Sequence, residues 1–398
     1  MLKEWKDRAE NAVEEKAMLH FLSRFDRYPF EVVWQGEHHL IGEGKPLFQI
    51  HVKKPVPASA LMKSTSLALG EAYMDGDITV EGSLYEALVC FLKQEDKFAI
   101  NRSALASLLH PAETEAVQEK EVQSHYDIGN DFYSLWLDPT MSYSCAYFKN
   151  PGDSLYQAQV NKVDYILQKL YLKKDMTLLD IGCGWGFLLL EAARRYGVKG
   201  TGITLSEEQY AFFQKRIKEE GLEDRLTVKL MDYRELPKTG MTFDRVVSVG
   251  MAEHVGREHY QLFNDCVRDV LKDGGLYLLH FISQLKEEVG MAWIKKYIFP
   301  GGVIPSLREM VSAMANDNFH VLDVENLRLH YNKTLLCWDK NYRAHREEVR
   351  KMFDDRFIRM WDLYLAGCAA AFYAGNIELH QILATKGINN DLPMTRWY

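Results

Sequence analysis

Two hydrophobic periods run along the chain, and the change between them divides it. From about residue 125, short apolar runs of strand length recur between segments whose apolar residues fall three and four apart. This pattern predicts strands near 177–182, 198–204, 226–231, 243–249 and 275–283, with helices near 156–172, 187–196, 206–220 and 257–271 between them. Such alternation implies an α/β fold with a parallel, doubly wound sheet. After about 306 the pattern reads as a helix (Leu307 to Ala315), a strand (Val321 to Leu329, closed by His330 to Thr334), long helices from about 336 to 383, and an arm from Asn389 to Tyr398.

The first 110 residues read differently. A charged helical start, roughly Trp5 to Phe25, precedes alternating stretches at Glu31 to Trp34 and Leu47 to Val52, broken by Gly36, Gly42 and Gly44. Ser59 to Lys93 mixes helix and turn. Residues 1–110 are therefore expected to form a small α+β domain without catalytic constellations, 111–123 (PAETEAVQEKEVQ) a polar linker, and 124–398 the larger domain.

Composition narrows the partners. The net charge of −8 over 398 residues argues against nucleic acid and gives no global attraction to anionic lipid. Local basic patches remain at Lys295-Lys296 and at Arg343, His345, Arg346, Arg350 and Lys351, each readable as a solvated helix face or a membrane contact. Six scattered cysteines show neither a CxxC pair nor metal-ligand spacing, so neither disulfides nor a metal are expected. The start of the chain is charged throughout, and no apolar stretch of about eighteen residues occurs, so the protein is expected in the cytoplasm, touching a membrane only from outside.

Chemistry gathers at the ends of the expected strands, where ligands bind in such sheets. The run Leu178-Leu179-Asp180-Ile181 opens into Gly182-Cys183-Gly184-Trp185-Gly186 and then a helix, a unit that holds nucleotide-like groups at a helix N-terminus. The dinucleotide signature G-x-G-x-x-G is incomplete, with Phe187 at the third glycine position. No acid closes the second strand to hold a ribose; Thr204 and Gln209 are the available partners. At the end of the third strand, Asp232 is placed to reach an adenine amino group and Tyr233 to stack on the ring. S-adenosylmethionine, which carries adenosine but no phosphates, fits this set better than NAD.

Glu253 follows the fourth strand, and His280 lies in the fifth among apolar neighbours. Met141 to Tyr147 places three hydroxyls and the Cys145 thiol ahead of the first sheet strand. Each has an ordinary structural reading as well: a helix cap for Glu253, a satisfied core histidine for His280, a small buried hydrophobe for Cys145, and packing for Tyr331.

Their order along the chain carries more weight. HYDIGNDFY (125–133), MSYSCAYF (141–148), LLDIGCGWG (178–186), GITLSEEQ (202–209), FDRVVSVGMAEHVG (243–256), LLHFIS (278–283), YIFPGG (297–302), LHYNKTLLCW (329–338) and LAGCAAAF (365–372) follow in sequence. So ordered, they resemble the cyclopropane-fatty-acyl-phospholipid synthases and mycolic acid cyclopropane synthases. GEAYMDGDITVEGSLYEAL (70–88) resembles the additional N-terminal domain of the phospholipid branch. The resemblance implies a mostly parallel, seven-stranded Rossmann-like methyltransferase sheet with a smaller N-terminal α+β domain. It also implies transfer of a methylene from S-adenosylmethionine to a cis double bond of an unsaturated phospholipid at the membrane surface, by a homodimer.

Carried over residue by residue, the family's bicarbonate ligands fall on the side chains of Glu253, His280 and Tyr331 and the backbone N–H groups of Cys145 and Ile282. Its cofactor residues fall on Tyr143, Ser144, Gly182, Gly184, Thr204, Leu205, Gln209 and Tyr233. Asp232-Tyr233 stands where mycolate enzymes have Gly-Trp, and Cys368 matches a cysteine sometimes proposed as an active-site thiol, although a packing role is favoured. Two enzymatic alternatives remain: methylation of a small amine or other soluble substrate, and a lipid methyltransferase that leaves a branched chain. A lipid-binding scaffold with a vestigial site would lack one or more of these residues, and all are present.

Overall fold

The computed structural model describes residues 13–98, 128–287 and 290–396. They fall into two compact units. In the first, a four-stranded sheet is built from β1 (Phe30–Trp34), β2 (Glu37–Ile41), β3 (Gln49–Val52) and β4 (Ile78–Glu81), in the order β2-β1-β3-β4. Phe25, Phe30, Phe48 and Phe91 pack edge and face in its core, with Phe98 over Phe25. The strands β2 and β4 arise in stretches that the pattern assigns to turns or to a helix–turn mixture.

The expected domain boundaries do not hold as contiguous spans, because residues 290–298 and 342–376 belong to the first unit. Shape and charge explain this. The indole of Trp293 occupies the place where a Cβ on Gly70 would fall, 2.2 Å away. The Tyr297 hydroxyl donates to Glu71 at 2.6 Å, and Arg356 pairs with Asp75 at 2.8 Å. The helix Asp355–Ala374 packs against the helices Thr65–Asp75 and Leu84–Leu92. The expected linker 111–123 lies outside the described residues, as does the beginning of the expected N-terminal helix.

The second unit holds β5 (Thr177–Ile181), β6 (Lys199–Thr204), β7 (Leu226–Leu230), β8 (Phe243–Val249), β9 (Leu271–Ser283), β10 (Phe319–Asn326) and β11 (Glu378–Lys386), ordered β10-β11-β9-β8-β5-β6-β7. Strands β7, β6, β5, β8 and β9 are parallel, whereas β11 runs antiparallel to both of its neighbours. The sheet is thus doubly wound and mostly parallel, as expected. Apolar side chains fill both faces: Leu279 and Phe281 of β9 enter one core, Leu276 and Leu278 the other.

Two elements differ from the sequence reading. Glu378–Lys386 is a strand where a helix was expected, because it is buried on both faces and so shows no alternation. Tyr331 does not close a strand but sits in the opening turns of the helix Arg328–Ala344, where Asn326 Oδ1 accepts the Arg328 N–H at 2.9 Å and turns the chain.

Candidate active site

The glycine loop after β5 is pinned to β6: the N–H groups of Gly182 and Cys183 both donate to the Ile203 carbonyl at 3.0 Å. Gly186 has φ +86°, and a Cβ there would fall 2.1 Å from the Phe213 ring, so close packing requires it. At Gly184 (φ +54°) no atom of the described residues lies within 4 Å of that position. One glycine packs the helix Phe187–Tyr196, and the other leaves space above the loop.

That space is part of a cleft of ≈ 1180 Å³, counted with the solvent at its mouth. Tyr143, Ser144, Gly182, Gly184, Thr204, Leu205, Gln209, Asp232 and Tyr233, the nine residues expected around the cofactor, all line it. Thr204 Oγ1 donates to Gln209 Oε1 at 2.8 Å. Asp232 accepts from the N–H and the Nε of Arg234 at 2.8 and 2.9 Å and from its Nη2 at 2.6 Å. The Asp232 carboxylate is thereby held by Arg234 at the edge of the cleft. The Tyr233 ring stands edge-on to Phe263, 5.1 Å between centroids.

The cleft also contains residues that the sequence reading did not place there. Lys162 is buried and donates to Ser144 Oγ at 2.8 Å, and burial pulls its ammonium down to about 8. Burial pushes Asp180 up to about 7 against the pull of Lys162. His254, brought down to about 4 by burial, is another lining residue. A lysine inside an otherwise regular helix gives no sequence signal that it will point inward. Around Tyr143 stand Tyr133, Trp136 and Trp338, with centroids 5.3–5.5 Å from its ring.

Beside the cleft the ends of β8 and β9 carry a different kind of chemistry. Glu253 lies between Met251 and His254, both of which line the cleft. Its Oε1 accepts the Ile282 N–H at 2.6 Å, while Oε2 is enclosed with no partner among the described residues. Burial pushes this carboxyl up to about 7, against the pull of the Ile282 bond. His280 is 1% exposed, and its Nδ1 meets Gln381 Nε2 at 3.0 Å. His280 Nε2 is buried with no partner among the described residues, and burial holds the ring well below the usual imidazole range.

Cys145 is fully buried, with its thiol pushed well up by desolvation. Thr334 Oγ1 accepts the Ala146 N–H at 3.0 Å, and His330 Nδ1 accepts the Phe148 N–H at 3.0 Å, so the Cys145 segment is tied to the turns that bear Tyr331. The Tyr331 ring lies edge-on to Trp338 at 6.0 Å. Cys368 is in the other compact unit, on the helix Asp355–Ala374.

Residues 113–382 match the family described as mycolic acid cyclopropane synthetase, and residues 17–103 match a domain of unknown function. The chain belongs to the mycolic acid cyclopropane synthetase family. Like its family, it is an S-adenosylmethionine-dependent methyltransferase. It is 40% identical to the cyclopropane-fatty-acyl-phospholipid synthase of Escherichia coli K12 over 357 residues, 87% of this chain and 90% of that protein. It is also 40% identical to a probable fatty acid methyltransferase of Pseudomonas putida, over 92% of this chain and 94% of that one. The solved cyclopropane synthase MmaA2 of Mycobacterium tuberculosis superposes with a TM-score of 0.65 at 33% identity, covering 67% of this chain and 98% of its own. A second member of the synthetase family, CmaA1, solved with SAH and CTAB, gives 0.64 at 34% identity, over 67% of this chain and 98% of that one.

Proposed function

We propose that this enzyme transfers a methylene group from S-adenosylmethionine to the cis double bond of an unsaturated phospholipid acyl chain, giving a cyclopropane. The observation that carries this reading is the enclosed pair at the ends of β8 and β9, the Glu253 carboxylate oxygen and the His280 ring nitrogen, both without partners among the described residues. An isolated alkene is a weak nucleophile, so alkylating it needs alignment in a slot closed to water. Once alkylated the chain is a carbocation, and loss of a proton from the new methyl closes the ring.

The cleft fits S-adenosylmethionine: the space over Gly184 would admit it, Thr204 and Gln209, which bond each other and line the cleft, would turn to ribose hydroxyls, and Tyr233 would stack on adenine. The enclosed pair fits bicarbonate, an anion with one hydroxyl donor and several acceptor oxygens, which answers a carboxylate oxygen and a ring N–H together. When bound, S-adenosylmethionine would supply the electrophilic methyl and leave as S-adenosylhomocysteine, and bicarbonate would accept the proton that the new methyl loses. Glu253 would hold that anion's hydroxyl, and His280, the Tyr331 phenol and the Cys145 amide would donate to its oxygens. The Ile282 amide already serves Glu253, so its part is to be shared between carboxylate and anion. Tyr143 lines the cleft, backed by the buried Trp136 and Trp338, and would present its ring to positive charge.

The same reading gives the enzyme a peripheral place on the cytoplasmic face of the membrane and a homodimeric state, with a lipid-facing or dimer-forming role for the N-terminal unit. Among the described residues no helix is long and apolar enough to cross a membrane. Purified protein given S-adenosylmethionine and vesicles of unsaturated phospholipid is expected to yield acyl chains heavier by one CH2 and lacking the alkene, read by mass spectrometry. Absence of that product with turnover of a soluble amine would sink the reading. A branched or methylenated chain instead would favour the second reading, which the Pseudomonas relative supports by its description as a probable fatty acid methyltransferase.

A further inference from the structure

Three strands place a row of polar side chains across the sheet. Glu325 of β10 is in register with Gln381 of β11, and Gln381 with His280 of β9. Above this row lies Lys169, at the end of the helix Leu155–Lys169 and 1% exposed. Its ammonium donates to Glu325 at 2.6 Å and to the Gln381 amide oxygen at 2.9 Å.

An ammonium has only donors to offer, so it fixes which end of the Gln381 amide faces it. The oxygen must turn to Lys169, and the NH2 must then turn to His280 Nδ1, 3.0 Å away. A nitrogen that accepts an NH2 hydrogen carries no proton itself, so the proton of the neutral imidazole is on Nε2. That nitrogen is the enclosed one, without a partner among the described residues.

We propose that Gln381 is a positioning residue: anchored by Lys169, it fixes His280 as the Nε2–H tautomer, so that His280 donates a hydrogen bond into the site and is barred from being its base. The inference deepens the anion-holding reading above and rests on it for its meaning. It explains why a histidine beside a developing cation needs a separate base at all. With its acceptor nitrogen turned into the sheet, His280 has no lone pair to offer.

The tautomer is read directly from nitrogen-15 spectra of histidine-labelled protein, with His280 assigned by difference against His280→Gln. Wild type is expected to show a protonated Nε2 and an unprotonated Nδ1 for His280, with or without a functioning lipid assay. Gln381→Glu replaces the donor by an acceptor, so the proton should move to Nδ1; turnover should fall at least thirtyfold, and the KM for added bicarbonate should rise. A protonated Nδ1 in wild type overturns the proposal, as does a folded Gln381→Glu that keeps Nε2–H and retains turnover within threefold. If Gln381→Glu does not fold, the wild-type spectrum alone decides. A protein that shows the Nε2–H tautomer but makes no cyclopropane would refute the proposed function and leave this inference standing.

Discussion

The half of the site around the glycine loop and the half at the ends of β8 and β9 differ in how their polar groups are satisfied. Around the loop, Thr204 bonds Gln209, Asp232 is clasped by Arg234, and Lys162 bonds Ser144. At the ends of β8 and β9, Glu253 Oε2 and His280 Nε2 are enclosed with no partner among the described residues. Leaving a buried polar atom unsatisfied costs about 1–3 kcal/mol, more when it is charged. The first half is shaped before any ligand arrives. The second encloses polar atoms that a polar guest would satisfy, and Asp180, with an enclosed oxygen that has no partner among the described residues, is where the first half shares that character.

Glu253→Gln breaks the comparison most severely. The amide oxygen still accepts the Ile282 N–H, but the charge is gone, so turnover should drop by roughly a thousandfold or more, while cofactor affinity, measured by calorimetry, stays within a few-fold of wild type. Stability should move the other way. Glu253 is pushed from 4.5 up to about 7 in the folded chain, so the protonated carboxyl favours folding below about pH 4.5, and that advantage is lost as pH rises through about 7. Wild type should therefore lose about 3 kcal/mol between those limits relative to the variant, in denaturant titrations at each pH. Parallel stability profiles would show that the carboxylate is not held unpaired.

Much of this architecture was legible in the residues. Strands β5 to β8 are short apolar runs between helices of regular period, and their ends carried the glycine loop and Glu253. The opposite edge was not legible, because a strand buried on both faces loses the alternation that marks it, and Gln381 lies in that strand. The roles of Gln381, Lys169 and Glu325 come from a row across three strands and the end of a helix, with His280 101 and Lys169 212 residues from Gln381 in sequence, a relation no local pattern encodes. Asp232 shows the reverse: its partner Arg234 is only two positions away, yet a side chain facing a ligand and one facing its neighbour look the same in sequence.

The glycines sharpen the comparison at moderate cost. Gly186→Ala forces a methyl into the Phe213 ring at a left-handed φ, so it should destabilise the fold by about 3 kcal/mol, seen as a lower midpoint in chemical denaturation. Gly184→Ala meets open space and should cost about 1 kcal/mol for its positive φ alone. Its methyl instead enters the cleft, and cofactor affinity should fall roughly tenfold by calorimetry, about 1.4 kcal/mol. If the two variants lose stability equally, the loop is not divided between packing and binding.

Cys368 should have the smallest effect. Burial pushes its thiol up to about 12, so at neutral pH fewer than about one molecule in ten thousand carries the reactive thiolate. A nucleophile is useful only as the thiolate, and the proposed chemistry needs a base beside the cation rather than a covalent partner. Cys368→Ala should accordingly keep turnover within about twofold, and wild-type protein should lose activity to iodoacetamide at pH 7 far more slowly than a free thiol is alkylated. A folded Cys368→Ala with turnover down more than tenfold would move this cysteine from packing into the working site and would require the boundary between the enclosed pair and the rest of the molecule to be redrawn.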